Sequence, residues 1–214
     1  MTEAPEDTFK RRGFLSRELI DTIPLMRKEA EEWFELADTL VEDFQRVADA
    51  ACAHGPAREH PFRPPAVAVR LLLRTGDGLQ AAILLAERGM TTEARIIART
   101  LIENSLVISA LSEKPGETMA MLKDDHDAAF IKQRNFVLEK QIAKGRQETI
   151  DQLNAAIDEV KDARAKAATQ AGITKPPPLR VIDKSKLAEK GGLPDIEYLY
   201  FQELSDDAVH ATSR

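Results

Sequence analysis

Apolar residues recur at three- and four-residue steps through most of this chain, and no run alternates apolar and polar with period two. The densest stretch runs from Pro65 to Ser112. Ala68, Leu72, Gly76, Leu79, Ile83 and Ala86 mark one helical face, while Leu71, Leu73, Leu84 and Leu85 make the other faces apolar as well. A helix apolar on most sides belongs at the centre of a fold. Pro65 suits a first helical turn, Gly89 a left-handed C-terminal cap, and Thr91 or Thr92 the next N-cap. The pattern therefore predicts a buried helical hairpin, 65–88 against 93–112.

A turn this short makes the two helices antiparallel neighbours and sets residue i level with roughly residue 180 − i at a rise of about 1.5 Å per residue. Arg74 then falls near Glu103 and Asp77 near Arg99, with Arg95, Arg99 and Glu103 one turn apart on the second helix. Charges in such a hairpin need partners, because an uncompensated buried charge costs several kcal/mol. The expectation is one charged cluster across the seam. It is read as an ion-pair network that fixes register, as a polar pocket for a small molecule, a nucleotide or an RNA phosphate, or as residues that simply face water.

The remaining pattern fills in around the hairpin. A tail occupies 1–15, followed by a helix from Ser16 that Pro24 is expected to kink or restart. A long amphipathic helix, 25–53, has Trp33, Phe34 and Phe44 as expected core anchors. After a loop rich in Pro and Gly, the hairpin, and a break at 113–117, helical pattern resumes as a long extension over 118–171, as one helix or as a hairpin interrupted at Gly145. The acidic run Asp124-Asp125-His126-Asp127 reads as a solvated face, since a helix lets at most two of these residues share a side. Ile150, Leu153, Ile157 and Val160 form a narrow stripe that wants a partner, a second subunit being one candidate. Residues 172–193 read as an extended strap with Pro176, Pro177 and Pro178, a short helix at 184–190 and Gly191-Gly192; a final helix opens at Pro194. The whole predicts an all-α antiparallel bundle, with 16–214 as a single all-helical domain.

Composition narrows the function classes. The chain has 214 residues, 43% of them hydrophobic and 31% charged, which excludes a disordered segment. No apolar run approaches the ~20 residues of a membrane span, and the first residues lack a signal peptide's apolar core, so the cytoplasm is the expected compartment and no membrane partner is expected. The net charge of −6 argues against DNA as a partner. Cys52 is the only cysteine, which excludes an intrachain disulfide and any all-cysteine metal site. Asp207 and His210 have the i, i+3 carboxylate–histidine spacing of di-iron bundles, but none of the other histidines repeats it. No metal and no cofactor is expected.

Gly89, Glu93-Ala94 and Arg99-Thr100-Leu101-Ile102-Glu103, together with Leu204-Ser205 and Val209-His210-Ala211, resemble the central and C-terminal motifs of an uncharacterised helical family, domain of unknown function 5677. The resemblance implies an all-helical fold and no known activity. It also implies that Ser205 and His210 approach Arg99 and Glu103, an arrangement that distantly resembles helical ribonucleases of the HEPN group. Those carry Arg, four to six residues and His on one helix, and this chain lacks that spacing. The candidate binding residues are thus Arg74, Asp77, Arg95, Arg99, Glu103, Ser205 and His210. Two functions follow as expectations. The first is a binding module that self-associates as a homodimer, in stress or phage defence, with a small molecule or RNA as further candidate partners. The second is a metal-independent ribonuclease with His210 as base, Arg99 on the phosphate, and Glu103 as the third catalytic candidate.

Overall fold

The structure, a computed structural model, describes residues 12–16, 18–54, 62–140, 142, 144–193 and 196. Among them lie a 3-10 turn, Gly13–Leu15, and seven α-helices: α1 (Glu18–Glu29), α2 (Glu31–His54), α3 (Pro64–Glu87), α4 (Thr91–Glu113), α5 (Pro115–Glu139), α6 (Gln147–Gln170) and α7 (Lys184–Lys190). No described residue is in a strand, and the fold is an all-α helical bundle. The described residues fall into two compact units, one from the stretches up to 115 together with the stretch from 184 onward, the other from 116–183.

The α3–α4 hairpin is the centre of the first unit. Pro64 and Pro65 occupy the first helical turn of α3, where a missing N–H leaves nothing unpaired. The helix closes as the glycine predicts. Gly89 has φ +74°, its N–H donates to the Ala86 carbonyl at 2.9 Å, and the Met90 N–H donates to the Leu85 carbonyl at 2.9 Å. Helix α4 starts at once, at Thr91, with no side-chain cap from either threonine. At mid-hairpin a Cβ on Gly78 would stand 2.5 Å from Leu101 Cδ2 and 3.7 Å from Ile97 Cγ2. Position 78 therefore meets position 101, within one residue of the expected register.

Helix α2 lies on the other side of α3, with the Phe44 side chain against Gly76 and Ala48 buried. Pro24 does not interrupt α1; the break comes six residues later, at Ala30. Proline removes one hydrogen bond but leaves the turns on either side intact, so a kink is not obligatory. The short helix α7 docks on the last turns of α4. Leu187 and Ala188 are buried, as are Leu106, Ala110 and Leu111, and the Ser109 hydroxyl donates to the Gly191 carbonyl at 2.7 Å.

The second unit is a helical hairpin closed by the proline strap. The Arg164 guanidinium, on α6, pairs with Asp124 and, at 3.7 Å, with Asp127, both on α5. In one uninterrupted helix those residues would stand about 60 Å apart, at about 1.5 Å per residue, so the 118–171 extension folds back on itself. Arg164 also donates to the Pro177 carbonyl at 2.9 Å, and the Ile182 N–H donates to Asp125 at 3.0 Å. Both bonds tie the strap to the hairpin. The acidic run is thus no solvated face: Asp127 is buried, and Asp124 and Asp125 each hold a partner. Ile157, at the middle of the α6 stripe, is buried too, while Ile150, Leu153 and Val160 are half-buried.

Candidate functional site

The expected charged seam resolves into two groups. On α4 the Arg99 Nε donates to Glu103 Oε1 at 3.3 Å, one turn away, and the Lys184 ammonium of α7 pairs with the same oxygen. Arg74 and Asp77 are exposed on α3, and Asp77 lines a shallow cleft with Phe44, Ala48 and Gly76 on the α2 side of that helix. The reason is geometric. Gly78 faces α4, so its neighbour Asp77 is turned about 100° away from the seam at 3.6 residues per turn. The seam at that level is filled by Leu101 and Ile97, which leaves no room for a charged layer. Arg95 stands half-buried one turn before Arg99. Ser205 and His210 lie outside the described residues.

Glu103 is about one-quarter to one-third exposed, as are its two cations. Both cations reach its Oε1, and the pairing joins α7 to α4 beside the Ser109–Gly191 bond. The arrangement reads as a latch between two helices. Lys184 was the partner that periodicity missed. It lies 81 positions from Glu103 in the chain, beyond the prolines, and no local spacing signals that approach.

A second ion cluster joins three helices. Arg27 on α1 pairs with Glu87, the last residue of α3, and with Asp38 on α2, and its guanidinium lies 5.0 Å from the centroid of the Phe34 ring. The hydrogen bond that Arg27 donates to Glu87 comes first in holding the guanidinium above the ordinary arginine value, with Asp38 adding to it and desolvation opposing. A cation raised in this way keeps its stabilisation below its unfolded value for as long as its carboxylate partners are charged, and on the alkaline side loses it only as the pH climbs through the folded value, beyond the working range of most proteins. The cluster is therefore a fixed tie rather than a switch. Among the described residues, no group of three or more His, Cys, Asp or Glu is placed to hold a metal ion.

The outer surface of α2 is of another kind. Val41, Phe44 and Ala48 line a cleft with Leu72 and Gly76 of α3, and Phe34 lies against the Arg27 guanidinium of α1, but Trp33, Leu36, Leu40 and Val47 are 75%, 51%, 41% and 50% exposed. Trp33, Leu40 and Val47 stand seven residues apart and so share one face, with Leu36 beside them. Trp33 is accordingly no core anchor. The apolar arc of α2 is wider than the strip that α1 and α3 cover, so one side of it stays open. The same helix carries seven acidic residues against one basic residue, Arg46. That balance of −6 equals the net charge of the whole chain. Arg46 itself pairs with Asp43 at 2.7 Å.

No described helix is long and apolar enough to cross a membrane. The fold and these surfaces define an all-helical protein built on a glycine-notched hairpin. Residues 66–214 match the family of unknown function (DUF5677), and the chain belongs to that family. The matched span takes in the hairpin, the α5–α6 unit, the strap and the C-terminal segment, and it starts after α2. No curated protein and no solved structure matches the chain.

Proposed function

We propose that the protein is a helical protein–protein interaction module that engages its partner through the exposed apolar face of α2. One observation carries the reading: Trp33, Leu36, Leu40 and Val47 lie on one side of a single helix, and no described residue buries them. Single exposed apolar side chains are ordinary, whereas a contiguous stripe at helical spacing has the form of a helix-docking surface. The charged residues of the hairpin support a binding role over a catalytic one, because Glu103 is engaged by Arg99 and Lys184 in a latch. The lone exposed Cys52, at the end of the same helix, fits a reducing cytoplasm.

Site-specific photo-crosslinking in cells tests the proposal. A photoreactive side chain at Leu40 should give a discrete crosslinked product, and one at Glu42, on the acidic side of α2, should give none. A product of twice the chain's mass would identify a second copy as the partner, the homodimer expected from the sequence. No product from Leu40, or equal products from both positions, would remove the stripe as the interaction surface.

A further inference from the structure

The charge on α2 says which kind of partner fits. We infer that the stripe receives a basic amphipathic helix, one with apolar residues at heptad spacing flanked by Lys and Arg; the inference rests on the interaction-module reading above and specifies its partner. The stripe is bordered by Glu32 and Asp43, and the far side of the helix carries Glu31, Glu35, Asp38, Glu42 and Asp49. Asp38 is held by Arg27 and Asp43 by Arg46, but no ion pair from a described residue reaches Glu32, Glu35 or Glu42, all of which are exposed. A second copy of α2 laid on the first would bring one charge of −6 against another, which opposes association, most strongly at low salt. A helix bearing Lys and Arg beside its apolar face reverses the sign of that term while burying the same side chains.

Trp33 provides the readout, since it is the only tryptophan in the chain and stands in the stripe. The full chain is titrated with two synthetic helical peptides of about the length of α2. They have identical Leu heptads, flanked by Lys and Arg in one and by Glu in the other, and Trp33 emission is followed. The basic peptide should shift the emission to the blue and the acidic one should leave it unchanged. Raising the ionic strength from about 0.1 M to about 1 M shortens the Debye length from about 10 Å to about 3 Å and should weaken the basic peptide several-fold. Leu40→Asp, with Leu36→Asp as a second variant, should weaken it about tenfold although each adds an acid. A variant is scored only if its far-ultraviolet dichroism and melting match the parent.

Tighter binding by Leu40→Asp would mean that charge alone draws the peptide, and would overturn the inference. Equal shifts with both peptides would overturn the basic partner and keep the stripe as a docking face. A parent protein that is dimeric at micromolar concentration, with Trp33 already shielded, would make the occupant a second copy. A monomer unmoved by either peptide would overturn both this inference and the interaction role of α2.

Discussion

At the scale of single residues, two glycines make close approaches of different kinds. A Cβ on Gly78 would strike Leu101 Cδ2, the free end of a flexible side chain. A Cβ on Gly191 would stand 2.9 Å from Ser109 Cβ and Oγ and 3.1 Å from the Ala110 backbone nitrogen. The backbone of α4 cannot give way, and Ser109 is held by its bond to Gly191 itself. Gly78→Ala gains about 1 kcal/mol of helix propensity that offsets the displaced leucine, whereas Gly191→Ala has no such gain. Urea unfolding should therefore show Gly191→Ala costing about 1–3 kcal/mol and Gly78→Ala clearly less; the reverse order would mean that α7 does not dock as described. For Glu103→Gln the expected loss is small, about 1 kcal/mol or below, because all three members of its cluster keep contact with solvent. Melting of the variant beside the parent checks this, and a loss of several kcal/mol would show a far more buried network. The sequence made the meeting of positions 78 and 101 legible, since turn length and helical rise set register. It did not make the fate of Arg74 and Asp77 legible. Which way a side chain leaves a helix depends on which neighbour takes which face, and periodicity cannot rank the faces of a helix that is apolar all round.

At the scale of elements, the hairpin, the 184–190 helix and the strap were all readable, because glycine, proline and apolar period mark them locally. What the pattern could not resolve was pairing between distant elements. The acidic run on α5 is the plainest case. Spacing correctly allows two of its residues one side, and Asp124 and Asp127 do share Arg164, while Asp125, about 100° further round, holds the strap through the Ile182 N–H. Nothing near the run in sequence announces a cation 40 positions away. The side chains of Arg164 and Asp127 are 12% and 10% exposed, so losing one strands the other. Arg164→Ala should destabilise the α5–α6 hairpin by about 3–5 kcal/mol, whereas replacing the charged group by two apolar residues, Arg164→Met with Asp127→Leu, should recover part of the loss. Hydrogen exchange over 116–183 reads both; unchanged protection in Arg164→Ala would show that the strap and the apolar stripe hold the hairpin without the ion cluster.

At the scale of the whole molecule, α2 is out of balance with the rest of the chain. It alone accounts for the net charge, and within it Glu31 and Glu35, like Asp38 and Glu42, are acids one turn apart. Each such like-charge pair destabilises a helix by about 0.2–0.5 kcal/mol. A helix selected only to cover α3 would not keep them together with an exposed tryptophan. Surface features that oppose stability are retained where binding needs them, so stability and binding should respond to the same substitutions in opposite directions. Glu35→Lys with Glu42→Gln removes both repulsive pairs without setting a second cation one turn before Arg46, and the first of the two sets a cation one turn after Glu31, the favourable orientation. The double variant should melt higher than the parent, by about 0.5–1 kcal/mol of stability at low salt, with the gain fading as salt is raised. The same variant should bind the basic peptide more weakly while Leu40 and Trp33 remain in place. Thermal unfolding and the Trp33 titration on one preparation test the two halves together. A variant that gains stability without losing affinity would show that the acids of α2 are incidental to what its apolar face receives.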